Sequence, residues 1–210
     1  MLRTPSPLIG ALGVIEASMH NQSARDLAFR AVGRNLVNFQ KLEHCLKALT
    51  RLGVLAGPMS TVEDKIEKRN SKIAKFTLGK AVSEWLRIAD TNNSESGATE
   101  DLFEPWVSIS FGLEMSSEYL NNHGQILERL ATERNELVHH RLANFDFESN
   151  DECRELLIGL DSQNTRILEQ LTLLAPAIKD LIDLNEWTRQ PGLVDRLTEE
   201  FIRQTKENDT

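Results

Sequence analysis

The sequence is poor in the residues on which β-proteins depend. Its 210 residues include six prolines, eleven glycines and only 6% aromatic residues. A β-sandwich needs many turns and many β-branched or aromatic strand positions, so this composition favours helices. Hydrophobic residues make up 40% and charged residues 27%, the balance of a folded globular protein. We therefore expect an all-α fold with one sizeable core.

Cysteine and long apolar runs are also scarce. Cys45 and Cys153 form no CxxC pair and cannot make a disulfide framework, so two free thiols in a reducing cytoplasm are expected. The sequence contains no run of about eighteen apolar residues, which predicts no membrane-spanning helix. It also contains no glycine-rich phosphate loop, serine elbow or zinc-ligand spacing. These absences predict a cytoplasmic protein without a metal or a cofactor.

The charge balance limits the kind of nucleic-acid contact that is possible. The net charge is −8 and the pI is about 5.2, whereas proteins that coat nucleic acids present a basic face. Any contact with RNA must then be local, or made by a dimer cleft that concentrates a few cations, and DNA binding is not expected. The most basic stretch is residues 65–75 (KIEKRNSKIAK). It is either a solvated helix face or a surface that steers RNA.

Hydrophobic periodicity predicts a series of helices. Ser23 is the expected N-cap of the first long helix, and Gly124 is expected to interrupt the helix in which it lies. Residues 106–111 could form a strand, but no second convincing strand is present, so a helical turn or an extended connector is favoured. The polar residues 90–100 are expected to form a loop. The predicted helices cover residues 24–52, 61–75, 76–88, 114–142, 151–186 and 193–203.

The last long helix carries a heptad-like series of apolar residues. Asn164 falls within the series, where a polar residue often fixes register or partner choice, and Pro176 is expected to kink the helix. The series indicates internal bundle packing, with a dimer interface as the alternative. Its members are Leu157, Leu160, Asn164, Ile167, Leu171, Leu174, Ile178 and Leu181. We expect an N-terminal segment at 1–22, a helical domain at 23–186 and a C-terminal helix and tail at 187–210.

One charged residue stands where a core residue would be expected. Arg134 continues the apolar stripe of Leu127, Leu130 and Leu137. A charge on a buried stripe costs several kcal/mol unless it is paired or lines a cleft. Arg134 could therefore reach outward, pair with a core-facing carboxylate such as Glu43, or line a functional cleft.

A histidine, His139, follows Arg134 five residues later. In an ideal α-helix His139 points about 140° away from Arg134, whereas Asn135 and His139 share a face. Asn135 could then orient the imidazole through a hydrogen bond. A histidine can move a proton to or from a ribose 2′-hydroxyl or a leaving oxygen, and a guanidinium can hold a phosphate. The two side chains would converge more easily if a second copy of the helix faced the first across a two-fold axis.

The stretch Arg134-Asn135-Glu136-Leu137-Val138-His139 resembles the R-x(4–6)-H signature of the HEPN domain superfamily. Members of that family are helical bundles with the motif on a late helix, here followed by one long helix. Many are dimeric, metal-independent endoribonucleases of toxin–antitoxin or defence systems. The resemblance implies that Arg134 and His139 are catalytic and that Asn135 is accessory. The variable spacing also admits His140 as the family's histidine.

The resemblance also implies partners and leaves alternatives. It implies RNA as the substrate, a homodimer as the assembly and an antitoxin protein as a possible partner. The first alternative is a non-catalytic HEPN-like module that binds RNA, a nucleotide or a partner protein. The second is a purely structural helical adaptor with Arg134 in an internal ion pair, for which Glu43 is one candidate partner.

Overall fold

A computed structural model describes residues 7–52, 55–58, 60–89, 106–109 and 117–188. Five α-helices dominate this part of the chain and confirm the all-α fold class. They are α1 (Pro7–Leu52), α2 (Val62–Ala74), α3 (Leu78–Ala89), α4 (Ser117–Glu136) and α5 (Asn150–Thr188). The expected helix at 193–203 and loop at 90–100 lie outside the described residues. None of the described helices has both the length and the hydropathy needed to cross a membrane.

Two expected helix boundaries are wrong. Helix α1 already begins at Pro7, a residue that the first turn of a helix tolerates, so Ser23 is not its N-cap. Gly124 does not interrupt α4 but is buried within it. A Cβ atom at Gly124 would lie 3.2 Å from Cδ1 of Leu86, so the glycine allows α3 and α4 to approach closely.

The start of α5 follows a capping-box pattern. Ser149 precedes the helix, and its hydroxyl accepts a hydrogen bond from the backbone N–H of Glu152 at 3.4 Å. This bond satisfies one of the N–H groups that have no partner within a helix end. It fixes where the chain leaves the preceding turn and enters its second long helix.

Helices α1 and α5 run parallel to each other along the bundle. Arg34 pairs with Asp161 at 2.8 Å, and Asn38 pairs with Asn164 at 2.8 Å, so contacts advance together along both helices. The buried positions on each helix alternate steps of three and four residues, as in a coiled coil. On α1 they include Ala28, Val32, Asn35, Phe39, Leu42, Leu46 and Leu49. On α5 they are Cys153, Leu156, Leu160, Gln163, Ile167, Gln170 and Leu174. We call this contact the α1–α5 seam.

The heptad-like series on α5 is therefore packed within one chain. Leu160, Ile167 and Leu174 are buried as expected, but the other buried positions are shifted by one residue from the predicted series. Gln163 and Gln170 are buried because their amides bond to groups on α4. Gln163 donates to Glu133 at 3.2 Å, and Gln170 contacts His123 at 3.0 Å.

Buried amides tie the seam together. Asn35 is fully buried and donates to the Leu160 carbonyl at 2.8 Å and to Oε1 of Gln163 at 3.0 Å. A buried amide without partners would cost about 1–3 kcal/mol, so only the register that supplies these acceptors is tolerated. Asn164 contacts Asn38 of the same chain, which gives it an internal partner instead of the dimer contact considered as the alternative.

Helices α3 and α4 complete the main core beside the C-terminal half of α1. Burying a large aliphatic side chain contributes about 1.5–3 kcal/mol, so this cluster supplies most of the driving force for packing. Its buried members are Phe39, Leu42, Leu46, Leu49, Leu78, Ala81, Val82, Trp85, Ala89, Leu127, Leu130, Ala131, Ile167 and Leu174.

Two four-residue strands form a small antiparallel ladder. Strand β1 (Leu55–Pro58) pairs with β2 (Trp106–Ile109), and Leu55 stands opposite Ile109. The favoured interpretation of residues 106–111 as a helical turn or unpaired connector is therefore wrong for the first four of them. The partner strand contains Gly57 and Pro58, residue types that favour turns over strands, so local sequence gives no strand signal there.

Removing the fully buried amide of the seam should destabilise the fold. We expect Asn35→Ala to lower the free energy of unfolding by about 2 kcal/mol, because Gln163 and the Leu160 carbonyl lose their donor. Urea unfolding followed by far-UV circular dichroism measures this change. Gln40→Ala, which removes an exposed amide from the same helix, is the matched control. Equal stability of the two variants would contradict the role assigned to Asn35.

Candidate functional site

The candidate motif lies where α4 changes its winding. A π-helical turn, Leu137–Arg141, follows α4 directly, and a short 3₁₀ turn, Leu142–Asn144, follows that. The backbone N–H of Leu142 bonds to the carbonyl of Leu137, five residues earlier. Such turns are rare and are frequently found at functional sites.

Side-chain packing accounts for the wider turn. Leu137 is buried and Leu142 is half-buried, and both join one apolar cluster, which we call the motif cluster. Residues five apart share a face in a π-turn but not in an α-helix, so the extra residue lets both leucines reach this cluster. The other buried members are Ala28, Ala31, Val32, Cys153, Leu156 and Leu160.

An aromatic group closes the motif cluster at the turn before α5. Phe147 stacks on Phe29 of α1 with ring centroids 4.2 Å apart, and Phe145 meets Phe147 edge-on at 4.6 Å. Arg25 lies over the Phe29 ring and forms an ion pair with Glu148. These contacts hold the segment that follows the motif against α1.

Arg134 reaches the surface from its position on the apolar stripe. It is half-buried, and its Nη1 donates to Oδ1 of Asn135 at 3.1 Å. It forms no salt bridge within the described part of the chain. Of the options that the sequence left open, an outward-reaching guanidinium fits this geometry.

The expected internal partner of Arg134 is engaged elsewhere. Glu43 forms a salt bridge with Lys47 at 2.7 Å, and Lys47 also donates to the Ala74 carbonyl at 3.1 Å. Glu43 thus belongs to the contact between α1 and the end of α2. The pairing of Arg134 with Glu43, the candidate ion pair of the structural-adaptor alternative, is not formed.

The two histidines of the motif are exposed, as is Arg141 beside them. Asn135 bonds to Arg134, and no hydrogen bond joins it to His139 among the described residues. Oδ1 of Asn135 is the acceptor of the Arg134 bond, and the wider winding of the π-turn begins two residues later, at Leu137. The same winding reduces the angle between Arg134 and His139 below that of an ideal α-helix.

An ion-pair network lies next to the motif and leaves Arg134 out. Glu133 accepts hydrogen bonds from Arg166 of α5 at 2.7 and 2.9 Å, from Arg129 at 3.0 Å and from Gln163 at 3.2 Å. Burial pushes the pKa of Glu133 up, but the bonds from Arg166 and Gln163 outweigh it and hold the pKa below its usual value. Its negative charge is therefore committed to Arg166 and Arg129.

Other kinds of chemistry find little support in the described residues. Burial raises the pKa of both Cys45 and Cys153, so both thiols are protonated at neutral pH and are poor nucleophiles. Within the described ranges no group of three or more histidine, cysteine or acidic residues could hold a metal ion.

Two parts of this site were not predicted from the sequence. Arg141 lies over Gly159 of α5, where a Cβ atom would be 3.5 Å from its Nη1. The signal was a glycine in a helix interior, which often marks a close approach. The link from Glu133 to α5 had no comparable signal, because Gln163 and Arg166 are distant from it in the sequence.

Comparisons of this chain with protein-family models, with characterised proteins and with solved structures return no significant match.

The charge of Glu133 should make stability depend on pH. The pKa of Glu133 is lower in the folded protein than in the unfolded chain, where it is about 4.3. The contribution of its charge to the free energy of unfolding is therefore present above the unfolded pKa and is lost as the pH falls through the folded pKa. We expect Glu133→Gln to lower the free energy of unfolding by about 1 kcal/mol at neutral pH, and this deficit should close in acid.

Urea unfolding at a series of pH values tests this expectation. Glu128→Gln is the control, because Glu128 is exposed on the same helix. A Glu133→Gln deficit that is the same at neutral and acid pH would show that the charge is not its source.

Proposed function

We propose that the protein is a metal-independent endoribonuclease of the HEPN type. In this proposal Arg134 and His139 act on RNA, Asn135 positions the guanidinium, and His140 is the alternative proton carrier. The protein would serve as a toxin of a toxin–antitoxin pair or as a phage-defence effector, with an antitoxin protein as its inhibitor. The sequence resemblance to the R-x(4–6)-H signature is the starting point of this proposal.

The observation that carries the proposal is an uncompensated guanidinium beside exposed histidines. Glu133 is shared as an ion-pair partner by Arg129 and Arg166, whereas Arg134 is bonded only to a neutral amide among the described residues. Arginine binds phosphate through paired N–H groups, and a carboxylate partner would compete with that contact. His139 and His140 share the same exposed end of the helix and are open to a ligand.

The chemistry needs two proton transfers and one site for negative charge. The ribose 2′-oxygen attacks the adjacent phosphorus as its proton leaves, and the bond from phosphorus to the 5′-oxygen breaks as that oxygen gains a proton. Histidine can perform either transfer, and Arg134 would stabilise the extra charge on the phosphate oxygens. The products are a 2′,3′-cyclic phosphate and a 5′-hydroxyl. In a homodimer, the second copy would supply the other histidine.

A non-catalytic binding module is the second candidate. The net charge of −8 favours it, since a strongly acidic chain attracts RNA only where cations are locally concentrated. Such a module would bind RNA, a nucleotide or a partner protein through the same exposed residues without cutting RNA. Retained binding with no detectable cleavage by the wild-type protein would support it.

Replacing either proposed catalytic residue should abolish cleavage. We expect Arg134→Ala and His139→Ala each to reduce RNA cleavage by at least about a hundredfold and to relieve toxicity on expression. Because both side chains reach the surface, circular dichroism should show an unchanged fold. Wild-type cleavage should persist in EDTA, and its products should carry cyclic phosphate ends.

His44→Ala is the control for this experiment, since His44 is exposed on α1 away from the motif. His140→Ala distinguishes the two motif histidines: loss of activity there, with His139→Ala active, would transfer the role to His140. Undiminished cleavage by both Arg134→Ala and His139→Ala would remove this mechanism.

An exposed isoleucine beside the motif offers a test of the proposed dimer. Ile158 is 72% exposed and precedes Gly159, the residue beneath Arg141. A large apolar side chain in this position suits a subunit contact that would bring two motifs together. We expect Ile158→Glu to shift the protein toward monomer in light-scattering chromatography and to reduce cleavage in parallel. Ile182→Glu, a similar change further along α5, should do neither. A wild-type monomer that is fully active would contradict the shared cleft.

A further inference from the structure

A second cationic surface lies on α2, apart from the motif. A groove of about 700 Å³ runs along this helix and is lined by Lys68, Lys72, Lys75 and Phe76. The three lysines are spaced four and three residues apart, so they project from one face of the helix. Asp64 and Glu67 line only the N-terminal end of the groove. The C-terminal half of the groove is therefore the more positive.

The lysines of this groove have no salt-bridge partner among the described residues. All three are exposed, and none forms a salt bridge within the described ranges. This contrasts with Lys47 and Lys80, which are paired with Glu43 and Glu84 at 2.7 and 2.8 Å. In an acidic protein, an unpaired row of ammonium groups is the kind of local concentration that attracts a polyanion.

An aromatic ring ends the row of lysines. Phe76 is half-buried at the C-terminal end of the groove, where it also packs against the main core, and the ammonium group of Lys80 lies 5.9 Å from the centre of its ring. Cations along a groove together with an aromatic platform are the features with which proteins hold single-stranded nucleic acids. The lysines follow the phosphates, and the ring can stack on a base without reading its identity.

The groove and the motif lie at different levels of α1, the groove near its C-terminal end and the motif near its middle. Arg69 donates to the Thr50 carbonyl at 2.8 Å, and Lys47 donates to the Ala74 carbonyl at 3.1 Å, so α2 is attached near residues 47–50. The motif cluster packs near Ala28 and Val32. At about 1.5 Å per residue these levels are roughly 25 Å apart along α1. Contacts at the two levels would engage different nucleotides of one strand.

We infer that the α2 groove binds single-stranded RNA at a place separate from the cleavage motif. This inference rests on the proposed function for the identity of the ligand as RNA, but not for the groove's capacity to bind it. A lipid surface is the less suitable occupant, because a membrane-binding helix carries large apolar side chains beside its cations. None of the large hydrophobic side chains exposed in the described part of the chain lies on α2.

Binding can be measured separately from cleavage in the His139→Ala background. We expect Lys68→Gln combined with Lys72→Gln to weaken binding of a fluorescein-labelled single-stranded RNA about tenfold near physiological salt. The slope of log affinity against log salt should fall by about 1.4, since each phosphate contact on a single strand contributes about 0.7. Fluorescence anisotropy over a range of salt concentrations gives both quantities.

The control has the same change in charge at another place. Lys41→Gln combined with Lys179→Gln removes two exposed lysines from α1 and α5, and should leave affinity and slope close to those of the parent. Phe76→Leu should weaken binding about fivefold or more through lost stacking, with an unchanged salt slope. Circular dichroism confirms that each variant is folded.

Several outcomes would overturn the inference. Equal effects of the two double variants would show that overall charge, not the groove, controls binding. Unchanged affinity in the groove variants would do the same. Lysine-dependent binding to phosphatidylserine vesicles without such an effect on RNA would assign the surface to membranes. Failure of the proposed nuclease activity is a separate result. It would appear either as no detectable cleavage by the wild-type protein or as undiminished cleavage in Arg134→Ala and His139→Ala, whatever the groove variants do.

Discussion

The α1–α5 seam is the contact on which the rest of the molecule depends. Two long helices that run parallel could slide past each other by a heptad with little loss of apolar contact. The buried amide of Asn35 prevents this, because only one register places the Leu160 carbonyl and Gln163 within its reach. The polar groups thus reduce the apolar area buried in the seam but restrict the two helices to one register. This use is well attested for buried asparagine.

The same polar layer places α4 and the motif. Gln163 bonds to Asn35 on one side and to Glu133 on the other, so it connects α1 and α4 through α5. Arg166 adds a second link from α5 to Glu133. Arg134 follows Glu133 directly, so the bonds of Glu133 also hold the backbone of Arg134 in place. The guanidinium of Arg134 itself stays outside the network. The carboxylate that could have neutralised it is occupied by other arginines.

The helices could largely be predicted from sequence, because burial on one face imposes a visible period. Helices α2, α3 and α5 begin and end within a few residues of their expected limits. The exact face of α5 could not be predicted in this way. Choosing apolar residues selects Leu157 and Leu171, whereas Gln163 and Gln170 are buried because they have partners on other helices. A partner distant in sequence leaves no trace in local periodicity.

In the candidate site, too, some features are visible in the local sequence and others are set by residues distant from it in the sequence. The position of Arg134 on an apolar stripe is visible in the local sequence pattern, and in the structure the Arg134 side chain is half-buried there. The hydrogen bond expected between Asn135 and His139 is not formed in the described residues, and Oδ1 of Asn135 accepts from Arg134 instead. The winding of the backbone is decided by Leu137 and Leu142, which both pack into the motif cluster. The packing against α1 and α5 therefore determines the winding, which differs from the regular α-helix that the motif segment would form by itself.

A π-turn is equivalent to one residue inserted into an α-helix. The end of the motif helix therefore has two possible windings, one with the extra residue and one without it. Removal of one of the four residues between Leu137 and Leu142 would restore regular α-helical winding while the two leucines still reached the same cluster. The residues left before the turn would keep their places. The side chains between the two leucines would then point in directions rotated around the helix axis, relative to Arg134, by up to about 100°. The bundle would survive such a deletion, yet its surface would present a different set of side chains, and a length variant of this turn could change its ligand without changing its fold.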